Sequence, residues 1–282
     1  MPDKFVVGVN TAMFDGWDLE TTFSVIKTAG FDYVELAWNQ GYVGNLNPEL
    51  FSDENAEYVL SLLEKFQLKM HALGCTIPLS GANAIEEFSH RIHFAGKLGV
   101  RFMNISPGNK THYSLIVENL KILAPLAEAH HCFICLENGG DPNYDFITDA
   151  REGFAALEAI AHPSVALNVD PGNTVSMHQM LDPQQEALDM LPQARHFHIK
   201  DVKRAQGSYH FPAIGQGDLH YDQLLNLLEE KKIPCSLEIP LRMYRGSDTF
   251  PMRAEQVVAL TDIRTTLARS KAYIENTLGH SL

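Results

Sequence analysis

Short, almost continuously apolar runs alternate with longer segments of helical period from one end of the chain to the other. Short runs rich in β-branched and aromatic residues are typical of buried strands, whereas apolar residues spaced three and four apart predict amphipathic helices. The predicted strands are Phe5–Asn10, Tyr33–Trp38, Lys69–Gly74, Arg101–Ser106, Phe133–Asn138, Val165–Asp170, Arg195–Val202 and Cys235–Ile239. The predicted helices are Glu20–Ala29, Glu54–Phe66, Ile85–Leu98, Leu115–Ala129, Gly153–Ala161, Gln184–Met190, Tyr221–Glu230 and Glu255–Glu275.

Eight predicted strands, each followed by a predicted helix, define the fold class. Parallel strands joined by helices need cover on both faces of the sheet, which explains why the strand runs are apolar throughout. Eight such units close most simply as a (β/α)8 TIM barrel, for which 282 residues are sufficient. An open, doubly wound sheet is the alternative. Because no linker or low-complexity segment interrupts the pattern, we predict one α/β domain over residues 1–282.

Acidic and histidine side chains lie at the ends of the last four predicted strands. Glu137 belongs to the fifth strand, Asp170 to the sixth, His198 to the seventh and Glu238 to the eighth. The C-terminal ends of barrel strands meet at one mouth, where active sites are built. Three carboxylates at one mouth repel each other unless a cation neutralises them. The set therefore indicates one divalent metal ion and suits Mn²⁺, Mg²⁺, Co²⁺ or Zn²⁺ without choosing among them. Of the four ions, we take Mn²⁺ as the first expectation.

Each of these residues also has an ordinary structural explanation. A lone glutamate at a strand end is commonly a salt-bridge partner or a helix cap, and Asp170-Pro-Gly is a sequence typical of turns. Strand alternation points His196 and His198 to the same face, so one of them could be a satisfied core histidine. Four coincidences at consecutive strand ends are less plausible than one shared site, which favours the metal interpretation.

The chain carries a formal net charge of -13 and has no cluster of Lys and Arg. A surface of this charge repels polyanions, which argues against a nucleic-acid partner. No apolar run is long enough to span a bilayer and the N-terminus lacks a signal-peptide pattern, so we expect no membrane association. The four cysteines lie in or beside apolar segments, and the Cys132/Cys135 pair has no second pair at zinc-site distance. We therefore predict buried thiols and a cytoplasmic location.

Five short motifs, spread over nearly the whole chain, resemble the xylose isomerase-like barrel superfamily and its sugar-phosphate isomerase/epimerase branch. The motifs are Leu136-Glu137-Asn138, Asp170-Pro171-Gly172-Asn173, His196-Phe197-His198-Ile199-Lys200-Asp201, Gly215-Gln216-Gly217-Asp218 and Leu237-Glu238-Ile239. The resemblance implies metal ligation by Glu137, Asp170, His198 and Glu238. It also implies that a homo-oligomer, a dimer or a tetramer, is common among relatives.

In the ketose 3-epimerases of this family, the two glutamates also act as acid and base. Carried over, Glu137 and Glu238 would be catalytic and would lie on opposite faces of the substrate carbon. One removes a proton next to a carbonyl that the metal polarises, and the other returns a proton to the opposite face. The resemblance thus implies a metal-dependent isomerase or epimerase that acts on a small carbohydrate: a ketose, a keto-sugar or a sugar-acid derivative.

Four residues inside the predicted strands are expected to contact the substrate. Glu35 ends the second strand, where an ion pair in the barrel floor is the alternative. His71 lies in the third strand and could instead be an inert core histidine. His196 and Lys200 share the inward face of the seventh strand by alternation, and Lys200 could serve either to contact the substrate or to balance charge.

Asn173 and Arg242 complete the predicted substrate contacts. Asn173 stands where several ketose epimerases and the abasic-site endonucleases have a histidine, which departs from their pattern. Arg242 follows the eighth strand; its fork of donors suits a phosphate or carboxylate, although an exposed surface arginine is an equal alternative. The Gly215-Gln-Gly217 loop is only weak evidence for phosphate binding.

Two other functions are consistent with the same residues. A lyase, either a keto sugar acid decarboxylase or a polyol-ketone dehydratase, would start from the same metal-bound carbonyl and pass through a similar enediolate-like intermediate, so the ligand set does not separate it from an epimerase. A non-catalytic sugar- or metal-binding barrel is the more distant alternative. It would bind ligand without turnover.

Overall fold

The structure is a computed structural model and describes residues 4–39 and 46–282. Its strands are β1 (Val7–Asn10), β2 (Tyr33–Ala37), β3 (Lys69–Gly74), β4 (Phe102–Ile105), β5 (Phe133–Glu137), β6 (Val165–Val169), β7 (Ala194–Ile199), β8 (Lys203–Ala205), β9 (Ser208–His210), β10 (Cys235–Leu237), β11 (Met243–Arg245) and β12 (Pro251–Arg253). Its α-helices are α1 (Leu19–Thr28), α2 (Asp53–Phe66), α3 (Ala84–Lys97), α4 (Tyr113–Ala129), α5 (Ala150–Ile160), α6 (Pro171–Met177), α7 (Pro183–Met190), α8 (Asp222–Lys231) and α9 (Leu260–Leu278).

Eight of these strands close into a barrel in the order β1-β10-β7-β6-β5-β4-β3-β2. Every neighbouring pair in the barrel is parallel. The predicted (β/α)8 barrel is therefore confirmed, and the open sheet is excluded. Each predicted strand overlaps one barrel strand, since a fully buried parallel strand leaves a clear apolar run in the sequence.

Local signals fix where the helices begin and end. Asp18 caps α1 by accepting a hydrogen bond from Thr21 N, and Asp149 caps α5 in the same way through Glu152 N. Gly30 and Gly99 follow α1 and α3 with φ of 81° and 66°, a left-handed conformation that glycine adopts without strain. These residues therefore set the beginning or the end of the helices that they flank.

Three local elements differ from the predicted pattern. The Asp170-Pro-Gly segment starts the short helix α6 instead of making only a turn, because Asp170 accepts the N–H of Asn173 and Pro171 suits a first helical turn. Helix α9 begins at Leu260 and not at Glu255. The remaining strands form an antiparallel sheet in the order β12-β11-β9-β8, which the sequence pattern does not predict because its three-residue strands are too short to show a period.

The barrel interior contains a polar layer where bulky apolar residues are usual. Asn104, Asn168, His196 and Ser236 are each at most 1% exposed. The sheet and helix faces around this layer form the main apolar core. A buried polar layer costs stability unless its groups are paired, so its hydrogen bonds belong to the description of the site.

The four cysteines are buried and free, as predicted. Burial raises the pKa of Cys75 to about 12, which makes its thiol inert. Among the helices formed by the described residues, none has the combination of length and apolar character needed to cross a bilayer.

Candidate metal centre

Four side chains on neighbouring barrel strands meet at the C-terminal mouth. Glu137 ends β5, Asp170 follows β6, His198 lies near the end of β7, and Glu238 follows β10. One ligand atom from each lies within 4.8 Å of those from the other three, and all four side chains are buried. The structure thus brings together the residues that the sequence nominated, in a set of three carboxylates and one imidazole.

The Asp170 carboxylate is the least satisfied member of this group. From the residues that the structure describes, its Oδ2 accepts no hydrogen bond, although Lys200 Nζ lies 2.5 Å away as an ion-pair partner. Burial, together with the charges of Glu238 and Glu137, raises the pKa of Asp170 to about 7 against the opposing effect of Lys200. Lys200 and His198 lower this pKa but do not outweigh these effects, so the three buried carboxylates together still lack positive charge. A divalent cation would supply that charge, so the donor set fits the metal that the family resemblance implies.

His198 connects the carboxylates of the four-residue group to the buried polar layer of the barrel interior. Its Nδ1 lies 3.1 Å from Glu137 Oε1 and 3.5 Å from Glu238 Oε2. Its Nε2 lies 3.1 and 3.2 Å from the two carboxylate oxygens of Glu35. Burial disfavours the charged ring, but the surrounding carboxylates outweigh it and raise the pKa of His198 well above its ordinary value. A cation at Nδ1 would leave the Nε2 proton to Glu35, the usual carboxylate–histidine–metal arrangement.

A second group, Glu35 with His196 and His198, also has metal-ligand spacing. The two groups share His198 and use opposite nitrogens of its ring. Glu137 and Glu238 line the large cavity at the mouth, whereas Glu35 and His196 do not. The four-residue group is therefore the one that a substrate can reach.

Lys200 contacts the four-residue group and adds a positive charge beside its carboxylates. Its Nζ is 2.7 Å from Glu238 Oε2 and donates to Asn173 Oδ1 at 2.9 Å. Although burial opposes its charge, the carboxylates of Asp170 and Glu238 raise the pKa of Lys200, so it stays protonated. In turn, and against the effect of burial, Lys200 and His198 lower the pKa of Glu238 to about 2. Glu238 is therefore an ionised carboxylate at neutral pH.

Asn173 is held between both sides of the site. Its Nδ2 donates to Glu137 Oε1 at 3.0 Å and to the carbonyl of Asn138 at 2.9 Å. Its Oδ1 accepts from Arg245 Nη2 at 2.9 Å, while Arg245 Nη1 donates to Ser176 Oγ at 2.6 Å. Asn173 thus links the Glu137 carboxylate to two cations, Lys200 and Arg245, through its hydrogen bonds.

The close packing of this network requires a glycine. A Cβ on Gly140 would lie 2.1 Å from Asn173 Oδ1 and 2.2 Å from Arg245 Nη2. The Glu137-Asn-Gly-Gly sequence is therefore explained by the approach of the network to the backbone.

Sequence reasoning missed Arg245, which is 5% exposed and lies on the unpredicted strand β11. Its burial depends on that small sheet, which leaves no periodic signal in the sequence. Arg242, the arginine that was nominated, donates to the carbonyl oxygens of Ala254 at 2.9 Å and Glu255 at 2.6 Å. Arg242 does not line the cavity, so the structure does not bring it together with the other predicted substrate contacts Lys200 and Asn173.

The cavity above the carboxylates has a volume of about 320 Å³. Glu137, Glu238, Lys200 and Asn173 are polar residues of its lining, and Trp38 and Phe211 are among its apolar walls. The hydroxyl-bearing side chains of Thr11, Thr76 and Ser106 also line it. A cavity that combines charged and hydroxyl-bearing side chains with apolar walls suits a small polyhydroxy compound.

Three of the predicted substrate contacts lie in the barrel interior, outside the cavity lining. Glu35 is fully buried and accepts from Asn104 Nδ2 at 2.9 Å as well as facing His198. His196 Nε2 lies 3.2 Å from His71 Nε2, and Ser236 Oγ is 3.2 Å from the latter. Burial lowers the pKa of His71 to about 4, so this ring is neutral near pH 7. These positions suit support of the site better than contact with a substrate.

The backbone amides of the Gly215-Gln-Gly217 loop donate hydrogen bonds to a side chain of the protein itself. The amides of Gly215 and Gly217 donate to Asp201 Oδ2 at 2.9 and 2.7 Å, and Leu219 N donates to Asp201 Oδ1 at 3.1 Å. These backbone donors are therefore used to fix the loop, which leaves no support for a phosphate site there.

A family model described as "Xylose isomerase-like TIM barrel" matches residues 23–257, and the chain belongs to this family. No curated protein matches the sequence. Among solved structures, D-psicose 3-epimerase from Clostridium cellulolyticum H10 is 15% identical, with a TM-score of 0.75 over 97% of this chain and 99% of the other. A xylose isomerase-like TIM barrel protein from Mycobacterium smegmatis, in complex with magnesium, is 18% identical, with a TM-score of 0.70 over 97% and 96%.

The probable 3-DHS dehydratase AsbF from Bacillus anthracis is also similar, at 15% identity and a TM-score of 0.68 over 93% of this chain and 97% of that chain. At these identities the likeness establishes the fold alone. The solved structures that share this fold include both an epimerase and a probable dehydratase, so the fold does not decide the reaction.

Proposed function

We propose that this protein is a divalent-metal-dependent isomerase or epimerase of a ketose, keto-sugar or sugar-acid derivative. The observation that carries the proposal is the convergence of Glu137, Asp170, His198 and Glu238 within 4.8 Å. The presence of two of them, Glu137 and Glu238, in the cavity lining adds to it. Metal ligation by these four residues, and Mn²⁺ as the favoured ion over Mg²⁺, Co²⁺ and Zn²⁺, are parts of the same proposal.

A divalent ion held by these residues would polarise a substrate carbonyl and stabilise the negative charge that develops beside it. The two cavity-lining glutamates would exchange protons with the substrate carbon. One removes the proton next to the carbonyl, and the other delivers a proton to the opposite face, which inverts that carbon. The second glutamate would begin the cycle carrying a proton taken from solvent. After the product leaves, the first glutamate would lose its proton to solvent and the second would regain one, which restores the starting state.

The protein groups around the glutamates support these roles. Lys200 keeps Glu238 ionised through an Nζ–Oε2 contact of 2.7 Å, so that this carboxylate is able to accept a proton. Asn173 donates to Glu137 at 3.0 Å and limits its rotation. The apolar walls at Trp38 and Phe211 reduce the access of water to a carbanion-like substrate.

The test is a panel of free and phosphorylated ketoses, keto-glycosides and keto sugar acids, incubated in D₂O with metal-loaded protein. The account predicts deuterium at the carbon beside the carbonyl together with an inverted product, both visible by NMR. Glu238→Gln is expected to reduce this exchange by at least 100-fold. The exposed Glu230→Gln is its matched control and is expected to retain wild-type exchange.

Other outcomes separate the alternatives. Release of CO₂ or water, seen as a loss of mass, would replace the epimerase by a lyase. Tight sugar binding without deuterium exchange or mass change under any of the four metals would leave a binding protein and contradict the catalytic proposal.

A further inference from the structure

A second large cavity lies at the opposite end of the barrel from the carboxylates. Residues at or just before the N-terminal ends of β4, β5, β7 and β10 line it, and its volume is about 640 Å³. Arg101 precedes β4, Phe133 begins β5, and Arg195 is the second residue of β7. The cavity shares no lining residue with the one at the mouth.

The charges around this cavity have one sign. Arg101, Arg195 and Lys231 are exposed on its lining, and no acidic residue of the described part of the chain lines it. Within residues 4–39 and 46–282, none of these three cations has a carboxylate within 4.0 Å. The chain has 35 acidic and 22 basic residues, so a cationic group without an acidic partner runs against its composition.

Two of these cations face a single aromatic ring. The guanidinium carbons of Arg101 and Arg195 lie 5.7 and 6.0 Å from the centroid of Phe133. The rings of Phe102 and Phe133 are stacked, with centroids 6.2 Å apart and planes 21° apart. Two guanidinium groups within about 6 Å of one ring centroid concentrate positive charge at this end of the barrel. An oxyanion bound there would offset that charge and accept hydrogen bonds from guanidinium donors.

We propose that this cavity binds a small organic anion. Its carboxylate or phosphate would bind to the guanidinium groups of Arg101 and Arg195, with Lys231 adding positive charge. Its apolar body would rest against Phe102, Phe133 and Ile233. The two parts of the cavity thus select for an anion that also carries apolar surface, and inorganic anions alone would bind more weakly. The inference does not depend on the metal centre or on its reaction.

The probe for this site is 8-anilinonaphthalene-1-sulfonate, which joins an aromatic body to an oxyanion and fluoresces in apolar surroundings. We expect saturable binding of one equivalent to the folded protein, weakened as NaCl is raised. The double variant Arg101→Gln/Arg195→Gln is expected to weaken it at least tenfold. Its matched control, Arg151→Gln/Arg264→Gln, removes the same charge from other exposed positions and is expected to bind like wild type.

Competition identifies the anionic group. Displacement of the probe by benzoate assigns a carboxylate, and displacement by phenyl phosphate assigns a phosphate ester; either supports the site. Equal binding by the Arg101/Arg195 variant, with a native circular dichroism spectrum, would overturn the proposal because the probe would then be elsewhere. A wild-type dimer that the same double variant dissociates, without any probe binding, would assign this face to a second copy of the chain and also overturn it.

Discussion

Replacing Glu35 with glutamine tests how the barrel holds the histidine of the proposed metal centre. The Glu35 side chain is fully buried, and both of its oxygens lie within 3.2 Å of His198 Nε2. Glutamine preserves the shape and can keep the bond from Asn104 Nδ2, but it removes the negative charge. The loss therefore acts on the orientation and basicity of the imidazole, while the four proposed ligands remain.

The expected magnitude follows from this geometry. Removing a carboxylate that supports a metal-bound histidine costs about 10- to 100-fold in metal affinity, or about 1.4 to 2.7 kcal/mol. Because Glu35 makes its contacts without solvent exposure, we expect the upper half of this range. The burial of an uncharged amide beside His198 should also lower the pKa of that ring, since one of the carboxylates that raise it is lost.

Isothermal titration of metal-free protein with Mn²⁺ measures the effect directly. Wild type and Glu35→Gln are compared at one pH, with the exposed Glu230→Gln as the charge-matched control. Unfolding by urea confirms that both variants are folded under the titration conditions. An Mn²⁺ affinity of Glu35→Gln within twofold of wild type would refute the role assigned to Glu35.

Three further predictions concern the packing and the charges of the site. Gly140→Ala places a Cβ within 2.2 Å of Arg245 Nη2 and should lower stability by about 1 to 3 kcal/mol in urea unfolding, whereas Gly81→Ala, with its nearest atom at 3.4 Å, should not. His71 has a pKa of about 4 in the folded protein against 6.5 in the unfolded chain, so the unfolded chain binds more protons between these values. The free energy of unfolding should therefore fall by up to about 3 kcal/mol as the pH drops from 6.5 to 4. His71→Gln should reduce this pH dependence. Lys200→Met leaves buried carboxylates without their cation and should cost about 3 to 5 kcal/mol in the metal-free protein, with added Mn²⁺ restoring part of it; an equal loss with and without metal would contradict this.

The barrel could be predicted because its signals are local and repeated. Buried parallel strands leave apolar runs such as Phe133–Glu137, and apolar residues at helical spacing predict the helices between them, as in Glu54–Phe66. The convergence of the four nominated ligands followed from the topology alone, since parallel strand ends must meet at one mouth. Their binding of a metal remains a proposal.

The remaining parts of the site depend on contacts between distant segments. Arg245 enters the site from a three-residue strand, and its partners Asn173 and Ser176 lie about seventy positions earlier in the chain. Alternation placed His196 and His198 on one face, but it could not tell that one reaches the carboxylates while the other packs against His71. How far each histidine lies from the barrel mouth depends on the register of the strand with its neighbours, which a single sequence does not display.

The central claim is a metal centre in which Asp170 is an essential ligand. The most direct test is the metal content of wild type and Asp170→Ala after incubation with Mn²⁺ and removal of free ions by gel filtration, measured by elemental analysis. The account predicts about one equivalent in wild type and far less in the variant. Wild-type protein that retains no metal and takes up none on titration, or a variant that retains as much as wild type, would contradict it.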